Sequence, residues 1–74
     1  MGIHELKADF ERIRSEVLVK ISRINEKWKM VFQKAQGNTD VERDLLHLKL
    51  ELQIVETRAL KEFERIEEKI KKAA

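Results

Sequence analysis

The sequence predicts an all-α fold: an antiparallel two-helix hairpin, coiled-coil-like, that dimerises into a four-helix bundle. Three observations carry this. Apolar residues recur at spacings of three and four from Ile3 to Ala35 and again from Val41 to Ala73, the period of a helix with one apolar stripe. A single polar, glycine-bearing break, Gln36-Gly37-Asn38-Thr39-Asp40, separates the two stretches. The stripes also mirror one another about Asn38. Ten pairs, among them Leu6 with Ile70, Phe10 with Ile66, Ile21 with Val55, Trp28 with Leu48 and Val31 with Leu45, have residue numbers adding to 76. A chain that reverses at Asn38 stacks these pairs as layers of one seam.

The first helix is expected over about residues 3–36, with Ile3, Leu6, Phe10, Ile13, Val17, Ile21, Ile24, Trp28, Val31 and Ala35 on its seam. The turn occupies 37–39. Gly37 stands where a left-handed C-terminal cap is wanted. Thr39 is a natural N-cap, and Glu42 three residues later completes a capping box. The second helix then runs over about 40–72. Each stripe contains one place where two spacings of four follow in succession, centred on Val17 and on Ala59. Such four-residue stutters locally unwind a supercoil; lying side by side, they keep both helices on the shared seam. The alternation Leu46, Leu48, Leu50, Leu52, Ile54 has the period of a strand. No breaker flanks it, however, and the helical stripe passes through it without interruption.

Residues 1–74 read as one domain, near the lower limit for a chain that holds its own core. Charged residues make up 41% and hydrophobic ones 42%, a balance of long helices rather than of disorder. Without cysteine there are no disulfides or thiolate metal sites, so oligomerisation is the remaining way to supplement a small core. The net charge is only +2, and the halves are oppositely biased: eight basic against five acidic residues up to Gly37, eight against nine beyond it. That suits antiparallel neighbours better than a nucleic-acid partner. No apolar run approaches the ~20 residues of a membrane span, and the N-terminus lacks a signal-peptide pattern. A cytoplasmic or otherwise intracellular, soluble chain is the expectation.

The alternation on helix 2 implies a second apolar face. Leu48 and Leu52 belong to the seam, so Leu46, Leu50 and Ile54 point elsewhere, as do Leu18 and Phe32 on helix 1. The predicted oligomer or partner interface is the flank formed by Leu18, Phe32, Leu46, Leu50 and Leu60, with Ile54 at its margin. On the other flank Lys20, Arg23, Lys27 and Lys34 run near Asp40, Asp44, Glu51 and Glu62. That flank reads as a solvated face with weak ion pairs. Val19 and Met30 fit neither face and read as scattered surface residues.

Catalysis finds no constellation. Ser15 and Ser22 have no histidine nearby in a hairpin, and His4 and His47 fall near opposite ends. Asp44 and His47 stand at the spacing of an acidic-x-x-His metal pair, but they point away from the seam and meet no inward carboxylate. The reading is therefore no enzyme, no cofactor and no metal. His4-Glu5-Leu6-Lys7 resembles the opening of the phosphoacceptor box of histidine kinases, whose dimerisation domains are helical hairpins. The likeness covers four residues, and Ala8-Asp9 departs from the usual small-polar-then-proline continuation, so it identifies no family.

The leading functional expectation is a structural or assembly module that forms a homodimer through its second apolar face. The alternative is an adaptor hairpin docking a different protein on that same face. A third reading, a weak nucleic-acid binder using the Lys20/Arg23/Lys27/Lys34 ridge, lacks the interleaved aromatics such surfaces carry.

Overall fold

A computed structural model describes residues 2–73. They form two long helices, α1 (Ile3–Lys34) and α2 (Thr39–Ala73), packed antiparallel in a hairpin 55 Å long. The three-and-four spacing of apolar residues gives each helix a side to hide, and nothing in either interior breaks it, since the chain has no proline. Charges favour both ends. Asp40 and Glu42 sit in the first turn of α2, Lys71 and Lys72 in its last, and Glu5 and Lys34 play the same parts in α1.

The reversal comes earlier than the sequence suggests and takes four residues, 35–38, rather than three. Helix α1 stops at Lys34, with Ala35 as C-cap donating its amide to the carbonyls of Val31 (3.0 Å) and Phe32 (3.1 Å). Gly37 then takes φ +92°, the left-handed turn expected of it. The N-cap of α2 is Asn38 rather than Thr39. Its Oδ1 accepts from the Val41 amide at 3.2 Å, and its carbonyl accepts from the Glu42 amide at 2.9 Å. Asparagine is a stronger N-cap than threonine. With the cap one residue earlier, the Glu42 carboxylate reaches back to the Gly37 amide at 2.9 Å instead of closing a box on Thr39.

An earlier reversal changes which residues meet. The Phe10 ring packs edge-on against Phe63, not Ile66, with centroids 6.1 Å apart. Trp28 donates its indole N–H to the carbonyl of Leu45 at 2.8 Å rather than lying level with Leu48. Both contacts join residues whose numbers add to 73, three fewer than the mirror register. The turn midpoint has moved back by half that amount, to between Gln36 and Gly37.

The helices have also rotated. No described side chain is fully buried. The half-buried ones mark the line of contact: toward the loop they include Ile21, Asn25, Trp28 and Phe32 in α1 and Leu45, Lys49, Leu52 and Glu56 in α2, and toward the free end Ile3, Phe10 and Val17 in α1 and Ala59, Phe63, Ile66 and Ile70 in α2. At about 100° per residue, the half-buried set of each helix is centred about 40° from its apolar stripe, in the same rotational sense. In an antiparallel pair, like rotations open the same side. Half of each stripe therefore lies in the hairpin, and half lies along one open edge.

The cap assignment has a direct test. Asn38→Ala should lower the unfolding free energy by about 1 kcal/mol, whereas Thr39→Ala should change it by only a few tenths, as urea unfolding followed by circular dichroism would read. A larger loss at Thr39 would return the cap to the position anticipated from sequence.

Candidate interaction surface

The two edges of the hairpin differ in chemistry. Polar and aromatic groups close one. Lys49 extends its ammonium from α2 across the groove, donating to Asn25 Oδ1 at 3.2 Å and lying 5.0 Å from the centroid of the Trp28 ring. Phe32 stacks on Trp28 one turn further on, with centroids 5.0 Å apart and planes inclined at 14°. Nearer the free end, Arg14 pairs with Glu67 at 3.2 Å, the one ion pair between the helices among the described residues. Asn25, Lys49 and Glu67 are half-buried in doing so.

The opposite edge is apolar and open. Ile24 and Val31 on α1, and Val41, Leu48 and Val55 on α2, are all exposed, though the sequence places them on the seam. Leu6 and Ile13 continue the strip toward the free end. In the observed register Ile24 comes level with Leu48 and Val31 with Val41, so the strip draws on both helices at each level. Of the residues expected to form the second apolar face, Leu18 and Phe32 are half-buried at the polar edge. Leu46, Leu50, Ile54 and Leu60 are exposed on the side of α2 away from the open strip.

Chemical groups are scattered. Asp44, His47 and Glu51 are exposed, and no cluster of three or more metal-ligating side chains occurs among the described residues. A cleft of about 390 Å³ opens at the free end, lined by Ile3, Phe10 and Ile70 together with His4, Lys7, Glu11, Arg14, Glu67 and Lys71. Its charges are mixed in sign and Arg14 and Glu67 already satisfy each other, so it holds no convergent set of polar groups for a ligand. Among the described residues, the ion pairs within single helices are Asp9–Arg12, Glu62–Arg65 and Glu68–Lys71, all well exposed. Lys20, Lys27 and Lys34 take part in none. Neither helix is long and apolar enough to cross a membrane.

No protein-family model matches this chain, and neither a curated protein nor a solved structure is significantly similar to it. The surface must therefore be read from its own chemistry.

Three features escaped the sequence reading: the pairing of Asn25 with Lys49, the inward use of Glu67, and the exposure of Ile24, Val31, Leu48 and Val55. The spacing of Asn25, Trp28 and Phe32, and the matching one of Leu45, Lys49 and Leu52, did carry a signal. Each offers a helix line beside the purely apolar one; that of α1 carries an indole N–H and an aromatic partner, that of α2 a lysine between two leucines.

Trp28 fixes that line. Trp28→Phe keeps an aromatic against Phe32 but removes the bond to the Leu45 carbonyl, and should destabilise the hairpin by about 1–2 kcal/mol. Thermal unfolding at fixed protein concentration measures this. No change would mean that the indole N–H plays no part in setting the rotation.

Proposed function

We propose that this protein is an assembly module, a helical hairpin whose work is to associate with a second copy of itself through an apolar face. One observation carries the reading. Thirteen large apolar side chains are 40–58% exposed, while no described side chain is fully buried. Two helices in one layer have no second layer against which to close a core. Exposed apolar surface on this scale is what monomers avoid and interfaces supply.

Two strips of that surface are available. One is the flank anticipated from sequence, with Leu46, Leu50, Ile54 and Leu60 exposed and Leu18 and Phe32 at its inner border. The other is the open edge of Ile24, Val31, Leu48 and Val55. Closing either with another hairpin gives four helices around a shared core, and a twofold pairing uses the same patch on both copies.

The 8.8 kDa chain should sediment at twice that mass across the micromolar range, and its unfolding midpoint should rise with protein concentration. A chain that stays at single mass, with a midpoint independent of concentration, would contradict self-association. It would pass the same surface to the adaptor reading, in which a different protein covers it.

A further inference from the structure

We infer that the second copy seats on the open edge lined by Ile24, Val31, Leu48 and Val55, making this strip, rather than the Leu46/Leu50/Ile54/Leu60 flank, the core of a four-helix bundle. This rests on the self-association proposed above and adds to it the face that is used.

The geometry argues for it first. Each apolar stripe is turned about 40° from the line of contact with the other helix, both toward the same side. In a square of four helices the common centre lies about 45° from the direction to each neighbour. For three helices the angle is about 30°, and for an isolated pair the stripe and the contact line coincide. Both helices of this hairpin are turned as members of a four-helix square, with the missing pair on the open side.

The two edges are built differently, which is the second argument. The Lys49–Asn25 and Arg14–Glu67 contacts seal the polar edge with groups already satisfied within the hairpin. On the open edge, Ile24 with Leu48 and Val31 with Val41 form level apolar pairs with nothing above them. A second identical face supplies two further apolar residues to each level and completes a layer of four.

Charge and size agree. Bordering the open strip, α1 carries Asp9, Glu16, Lys20, Lys27 and Lys34, and α2 carries Asp40, Asp44, Glu51, Arg58, Glu62 and Lys69. Within one hairpin these two borders lie on opposite sides of the face. A second copy with its twofold along the helices brings Lys20, Lys27 and Lys34 level with Glu51, Asp44 and Asp40 of that copy, and Glu16 level with Arg58. With the twofold across the helices, Lys20 meets Glu16 of the second copy and Glu51 meets its Arg58. Opposite signs meet at these positions in both cases, although the first also brings Asp9 level with Glu62 of the second copy. A face 55 Å long and two helix diameters (roughly 20 Å) wide offers on the order of 1,000 Å², above the about 800 Å² per partner of a standard interface.

Single-cysteine variants test the face, because the chain has no other cysteine. Val55→Cys and Leu50→Cys are to be compared for their rate of reaction with a maleimide, across a protein concentration series and beside sedimentation equilibrium of each variant. The inference expects the Val55→Cys thiol to be protected at least tenfold relative to the Leu50→Cys thiol in the dimer, with the protection lost on dilution. A dimer that protects the Leu50→Cys thiol and leaves the Val55→Cys thiol reactive would overturn the choice of face while leaving self-association intact. A monomer with both thiols reactive at every concentration would overturn both. Leu48→Glu beside Leu50→Glu gives an independent reading. Leu48→Glu should weaken self-association at least tenfold and Leu50→Glu less than threefold; the reverse order would reject the inference.

Discussion

Two rods that touch along a line can cover only a narrow strip of each, and this hairpin is governed by where that line falls. An apolar stripe facing its neighbour squarely is half-shielded at best in a single layer. Here the stripe does not face its neighbour squarely. It is turned so that one margin packs within the hairpin and the other lies open, and the absence of any fully buried described side chain follows from that arrangement. Hydrophobic burial is the largest favourable term available to a chain of this size. In the proposed dimer part of that burial is left to a second layer, which would tie folding to association.

The polar edge explains why the helices settle at this rotation. The indole N–H of Trp28 needs an acceptor once the ring packs between helices, and the Leu45 carbonyl provides it at 2.8 Å. Lys49 then lies over the ring and finds Asn25, which lets a half-buried ammonium keep a hydrogen bond and a cation–π contact in place of water. Had the stripes met squarely, Asn25 and Lys49 would be turned further from the line of contact. The directional contacts are worth little individually. Their effect is to select one rotation among several that bury similar apolar area.

The fold was readable because its determinants are local. Two sustained helical periods, one break containing Gly37 and no proline leave a hairpin as the simple solution, and Gly37 takes the left-handed conformation assigned to it. The exact turn was less accessible. Asn38 and Thr39 are both competent N-caps, and the earlier cap together with the end of α1 at Lys34, two residues short of its expected end, shifts the register by three. Rotation about the helix axes was the least readable feature. A stripe about 80° wide is compatible with a neighbour at its centre or at its margin, and only the Trp28, Asn25 and Lys49 contacts distinguish these. The apolar pattern alone implies a wholly internal seam, which leaves Leu46, Leu50, Ile54 and Leu60, with Leu18 and Phe32, as the residues for an interface. The observed rotation makes part of the seam itself available.

In the proposed assembly the open edge becomes the interior of the protein. Methyl NMR with a soluble paramagnetic agent reads this residue by residue in the unmodified chain. Leu48 and Val55 methyls should be as shielded from the agent as those of Leu45 and Leu52, with Leu50 strongly broadened. Leu48 and Val55 broadened as strongly as Leu50, in a sample where the chain is assembled, would contradict it.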